Sequence, residues 1–109
     1  MATTYKVLGQ SAPAATTLTT LYTVPASTST IVSTITVANR AATAGTYRIA
    51  VRVAGASIAN AQYIIYDASL SANSTDTMTL GITLAATDVV SVYASTADFT
   101  FNAFGTELS

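Results

Sequence analysis

The stretch Thr46-Tyr47-Arg48-Ile49-Ala50-Val51-Arg52-Val53 decides the fold class. Tyr47, Ile49, Val51 and Val53 alternate with Thr46, Arg48, Ala50 and Arg52. Successive side chains of a strand point to opposite faces, so this period of two sends an apolar row inward and a polar row outward. The same alternation recurs on both sides of it. Met78, Leu80, Ile82 and Leu84 alternate with Thr77, Thr79, Gly81 and Thr83. Ile31, Ile35 and Val37 predict another strand, its apolar face interrupted at Ser33. Val90, Val92 and Ala94 predict a fourth, and Phe99, Phe101 and Ala103 a fifth, until Phe104 breaks the phase. Leu18, Tyr22 and Val24 predict a sixth, stopped by Pro25, which has no N–H to give to a ladder. Tyr5 to Leu8 reads as a short edge strand. Tyr63-Ile64-Ile65-Tyr66 is apolar on both faces, which fits a central strand or one whose second face meets a partner.

Turn-forming residues fill the intervals: Gly9 to Ala15, Pro25 to Ser29, Arg40 to Gly45, Gly55 to Ala61, Ser71 to Asp76, Ala85 to Asp88 and Ser95 to Asp98. Ala54 to Ala61 has room for one helical turn, and no stretch carries a helical stripe. Strands separated by turns at about 8–15-residue spacing imply a sandwich or barrel. A length of 109 residues suits one hydrophobic core. The expectation is therefore a single all-β domain over residues 1–109, an antiparallel β-sandwich of about eight strands, jelly-roll-like or immunoglobulin-like.

Composition narrows the chemistry. Histidine, cysteine and tryptophan are absent, and charged residues make up 8% of the chain, against about 25% in an average soluble domain. There is no imidazole for acid–base work, no thiolate, no disulfide framework and no His or Cys metal ligand. A Ser or Thr nucleophile needs a base to take its proton, and the one lysine is Lys6. The acidic residues Asp67, Asp76, Asp88, Asp98 and Glu107 are dispersed. Asp76, Asp88 and Asp98 fall at loop-to-strand junctions, where Asp bonds nearby backbone. Neither an enzyme nor a cofactor is expected. Lys6, Arg40, Arg48 and Arg52 are too few for a nucleic-acid binder driven by counterion release. No apolar run approaches the ~20 residues of a membrane-spanning helix, and Met1 to Lys6 does not read as a leader segment. Neither nucleic acid nor membrane is expected as a partner.

What remains is contact with other proteins. The polar residues are mostly Thr and Ser, whereas a protein that must stay apart from its neighbours usually relies on charge. Much of this surface is expected to be buried in an assembly. Arg48 and Arg52 share one strand face, about 13 Å apart at the strand rise. They are either solvated charges or contacts to a carboxylate of a neighbouring subunit, a position that favours Arg. Tyr66 is opposite in phase to Ile65, so one of the two faces outward or toward a partner. Arg48, Arg52 and Tyr66 are the candidate interface residues. The six tyrosines fit core or half-core positions, and any that are exposed beside Asp or Asn would instead mark a sugar-binding face. Asn73-Ser74-Thr75 reads as a turn.

Three stretches carry a family resemblance. They are Leu21-Tyr22-Thr23-Val24-Pro25-Ala26 with Ile31 to Arg40, then Thr46-Tyr47-Arg48-Ile49-Ala50-Val51, then Thr87 to Ala94 running on to Phe104-Gly105-Thr106-Glu107. In these the chain resembles small structural proteins of tailed bacteriophages, notably cyanophages. The resemblance implies a β-sandwich residing in the virion, without enzymatic activity or cofactor. Within the virion, small size favours a capsid decoration or cement protein that binds the major capsid protein, self-associated as a homotrimer by analogy with virion symmetry. A tail or baseplate adaptor and a host-surface carbohydrate-binding module are the alternatives.

Overall fold

The alternating rows fold into two facing sheets. The computed structural model describes residues 2–109. Its strands are β1 (Thr3–Ser11), β2 (Thr19–Thr23), β3 (Ser29–Asn39), β4 (Gly45–Arg52), β5 (Tyr63–Leu70), β6 (Thr75–Leu84), β7 (Val89–Ala94) and β8 (Phe99–Leu108). Sheet A has the order β1-β8-β3-β6 and sheet B the order β2-β7-β4-β5, with every pairing antiparallel. The chain is the eight-stranded β-sandwich that its periodicity implies. Every connection except β4–β5 crosses from one sheet to the other. That is the wiring of a jelly roll, not of an immunoglobulin domain, whose sheets contain several hairpins. The β4–β5 connection carries two short 3-10 turns, Val53–Gly55 and Asn60–Gln62, where the one helical turn was expected.

The core lies between the sheets. Phe99 and Phe101 from β8, Val32, Ile35 and Val37 from β3, Ile49 from β4, and Val90 and Val92 from β7 are wholly buried. The Tyr47 ring packs edge-on against Phe101 with centroids 6.1 Å apart, and tilted against Phe99 at 6.2 Å. Such aromatic contacts add about 0.5–1.5 kcal/mol beyond the area they bury.

Bulges decide which residues join that core. The interruption at Ser33 is one: the pairing of β3 with both β6 and β8 shifts between Val32 and Thr34. An extra residue in a strand reverses the phase of everything beyond it. Val32, not Ile31, therefore joins Ile35 and Val37 in the core, and Ile31 turns outward. Facing it, β6 carries Gly81 in the left-handed region at φ 64°, a conformation glycine adopts without strain. A shift between Thr20 and Tyr22 lets the adjacent Leu21 and Tyr22 both be buried. The segment Tyr63 to Tyr66 is not central: β5 pairs with β4 alone and forms an edge of sheet B. Tyr5 to Leu8 lies in the edge strand β1, as expected, although that strand is longer.

Two tyrosines of sheet B reach across to carboxylates of sheet A. Tyr22 donates its hydroxyl to Glu107 and shares a 2.8 Å hydrogen bond with Thr30. Tyr47 donates to Asp76 at 2.8 Å. Thr30 stands near the start of β3, whereas Asp76 pairs with Val37 near its end, so the two bonds close opposite ends of the sandwich. Burial, and then the Glu107 carboxylate, push the Tyr22 phenol up to about 12. Burial and Asp76 raise Tyr47 as well. Glu107 is held below the ordinary carboxylate range, first by the Tyr22 hydroxyl and then by Lys6, whose Nζ is 3.3 Å away.

Two outcomes follow for stability. Unfolded tyrosines ionise near pH 10, so the stability that the Tyr22 phenol contributes is fully present below pH 10 and is lost as pH rises from 10 toward 12. A pH series of urea unfolding should show that fall, and Tyr22→Phe should make it shallower while lowering stability at neutral pH by about 1–3 kcal/mol. A methyl group at Gly105 would collide with the Ile31 carbonyl. Gly105→Ala should therefore cost about 1–3 kcal/mol in the same measurement.

Candidate functional site

The two outer faces of the sandwich differ in chemistry. On sheet B, β4 presents Arg48 and Arg52, and β7 presents Ser91 and Tyr93, paired with Ala50 and Arg48 respectively. Strand β5 would ordinarily place Tyr66 and Asp67 on opposite faces. Its register prevents that. Tyr47 pairs with Ala68 and Ile49 with Ile65, so Arg48 alone faces both Tyr66 and Asp67. Asp67 takes the left-handed conformation at φ 52°, which Asp tolerates better than most residues.

Arg48 is the centre of that face. Its Nε donates to Asp67 Oδ1 at 2.6 Å and its Nη2 to Oδ2 at 3.2 Å. The guanidinium lies 4.2 Å from the ring centroids of both Tyr66 and Tyr93 and 6.0 Å from that of Tyr63. A planar fork satisfies one carboxylate and two rings at once, which an ammonium does not. The hydrogen bond from Arg48 holds the Asp67 carboxyl below its usual range, and the reciprocal bond raises the guanidinium further. Tyr63 stands edge-on to Tyr66, centroids 4.9 Å apart. Together with Asn60 these two rings line an open groove of about 410 Å³.

Arg52 anchors the β4–β5 connection beside the groove. Its Nε donates to the buried Ser91 Oγ at 3.1 Å and its Nη1 to the Ala56 carbonyl at 3.1 Å. Asp88 accepts from the backbone N–H of Ala54 at 2.8 Å and of Ala85 at 2.9 Å. Gln62 folds back on the same loop, accepting from the Ala59 N–H and donating to the Ser57 carbonyl.

Arg48, Arg52 and Tyr66 thus lie on one outer face, and Arg48 touches Tyr66 directly. The carboxylate that Arg48 holds belongs to its own chain, where a neighbouring subunit's was one expectation. Asp88 bonds local backbone as its position suggests, whereas Asp76 takes the Tyr47 hydroxyl. Asp67, Tyr93 and Asn60 were not singled out from sequence as one site. Their signal was the Tyr63-x-x-Tyr66-Asp67 spacing, legible only once the bulge is known.

Sheet A presents the opposite chemistry. Phe99, Phe101 and Ala103 of β8 are buried, so Thr100, Asn102, Phe104 and Thr106 face outward. The register carries that face onto Tyr5 and Val7 of β1, Ile31, Thr34 and Thr36 of β3, and Thr77, Thr79 and Thr83 of β6. None of these outward side chains is an acid or a Lys or Arg base. Tyr5 (82% exposed), Val7 (48%), Ile31 (40%) and Phe104 (36%) form an apolar patch within it. Among the described residues no three Asp and Glu side chains gather as metal ligands, and no helix is long and apolar enough to cross a membrane.

The Arg48 cluster makes its own test. Arg48→Lys keeps the charge and removes the fork. The Asp67 carboxyl should then titrate closer to the ordinary range by NMR, and the Tyr66 and Tyr93 ring resonances should shift toward free tyrosine. The contribution of the pair is present while Asp67 is ionised and is lost as pH falls through its depressed pKa.

Comparison of the chain with protein-family models, with curated proteins and with solved structures finds no match.

Proposed function

We propose that this chain is a structural protein of a bacteriophage virion, a capsid decoration or cement protein that docks on the major capsid protein through the outer face of sheet A. The observation that carries this reading is the chemistry of that face: a four-stranded sheet whose outward side chains include hydroxyls, the amides of Gln10 and Asn102, and the exposed apolar cluster of Tyr5, Val7, Ile31 and Phe104. Exposed apolar surface of this kind, framed by polar residues, marks interaction sites. No charge has to be desolvated when such a face is covered. The likeness to small tailed-phage structural proteins supports the same reading, and jelly rolls recur among viral capsid domains, which is an argument by fold alone.

The mechanism is contact repeated by symmetry. Each copy covers apolar surface at a junction between capsid subunits. A homotrimer presents three such faces to one local symmetry axis, so weak single contacts add by avidity. A shell tied across its subunit boundaries resists heat and internal pressure better than a bare one.

Particles stripped of this protein should lose heat resistance and regain it when the purified chain is added back. The double variant Ile31→Lys/Phe104→Lys places two charges on exposed positions, so it should fold normally and fail to rebind. A copy number matching the capsid subunits supports the decoration role. Copies matching the small rings of a tail would assign the protein to the tail or baseplate instead. Equal heat resistance with and without the chain would overturn the cement role.

A further inference from the structure

We infer that the opposite face, on sheet B, is a binding site for a neutral pyranose sugar, built by Tyr66, Tyr63, Asn60 and Asp67. The inference does not rest on the capsid reading, because it concerns different residues on the other sheet.

Three features carry it. The first is a rigid aromatic platform. Tyr66 is 58% exposed, yet its ring is held by the Arg48 guanidinium at 4.2 Å and by a T-shaped contact with Tyr63. A sugar ring has an apolar C–H side and a rim of hydroxyls. A fixed, exposed tyrosine offers the first an aromatic surface without an ordering cost at binding. The second is a set of polar groups around the ring. Asn60 adjoins both tyrosines in the groove, and its side-chain amide has no hydrogen-bond partner among the described residues, leaving both a donor and an acceptor for hydroxyls. Each Asp67 oxygen accepts one bond from Arg48 and retains a lone pair for a further donor. The third is charge balance. Arg48 and Asp67 neutralise each other across two hydrogen bonds, so the site selects neither an anion nor a cation. The groove volume of about 410 Å³ lies within the range of small-ligand sites, and its openness to solvent suits the face or end of a saccharide chain.

The backbone supports the same assignment. Tyr66 and Asp67 project to one side only because Asp67 adopts a left-handed conformation in the bulge opposite Arg48. Bulges often re-aim side chains beside functional sites, where backbone strain also collects. The loop bearing Asn60 is in turn fixed by Gln62, and its first residues by Arg52 and Asp88.

The test is an NMR titration of the full chain with methyl β-galactoside, methyl β-glucoside and lactose. Saturable shifts are expected at Tyr63, Tyr66 and Asn60, with affinity of about millimolar order for at least one of the three. Tyr66→Ala and Asn60→Ala should each weaken binding about tenfold, while Tyr5→Ala on sheet A should leave it unchanged. Both sheet B positions are exposed, and a dispersed spectrum of each variant verifies folding. No shift at up to about 100 mM of all three sugars, far above that affinity, would overturn the proposal. So would shifts that persist in Tyr66→Ala, or binding confined to acidic sugars. Rebinding of stripped capsids by Tyr66→Ala separates this outcome from failure of the docking role.

Discussion

Few charges are available to this chain, and nearly all of them are committed to holding the chain itself. Lys6 pairs with Glu107, which also takes the Tyr22 hydroxyl. Arg48 pairs with Asp67, and Asp76 takes the Tyr47 hydroxyl. Arg52 and Arg40 donate to loop carbonyls, and Asp88 accepts from two backbone N–H groups. A β-sandwich has open ends where core meets water, and its crossing loops must be fixed to something. Here the ionised groups fill those roles or pair on sheet B, and the outer face of sheet A is left to hydroxyls, amides and apolar side chains. The neutral outer face of sheet A follows directly from that allocation.

The two inter-sheet tyrosines join this allocation to the core. Tyr47 is at once a core ring, packed on Phe99 and Phe101, and the donor to Asp76. A phenylalanine there would fill nearly the same space and leave the carboxylate without its partner. Tyr22 plays the same double part at the other end, between Leu21 and the Glu107–Thr30 pair. Each tyrosine thus fixes the spacing of the sheets and also their registration along the strands. A hydrogen bond is directional in a way that apolar packing is not.

Period-two alternation made most of the strands legible, because a half-buried strand must write its two faces into alternate residues. β4 and β8 were readable for that reason, and β6 too except at Leu80, which the bulge turns outward, whereas β7 is buried on both faces. What sequence could not show was where the period slips. At Ser33 a single extra residue exchanges Ile31 for Val32 in the core, and no local pattern distinguishes a bulge from an interruption by a polar residue. In β5 the same device hid the Arg48 cluster. Tyr66 and Asp67 look like neighbours on opposite faces until the pairing with β4 is known. Arg48, Arg52 and Tyr66 were nameable as outward residues, but the carboxylate facing Arg48 depends on strand pairing, which is a property of the whole fold. The neutrality of sheet A was equally concealed, since its face is assembled from four strands distant in sequence.

Crossing between sheets at every connection but one has a consequence for how the molecule comes together. Only β4 and β5 are neighbours both along the chain and in a sheet, so only that pair closes a short loop before gaining its contacts. β1 must wait for β8, with Thr3 opposite Leu108, and β3 lies between β6 and β8, both made later. Acquisition of native structure is consequently dominated by distant encounters, which places the chain among slow folders, on the order of milliseconds to seconds. During synthesis sheet A stays incomplete until its last strand leaves the ribosome. For that interval β1 has no strand partner and β3 is paired on its β6 side alone, and a nascent copy nearby is the competitor for the open edge.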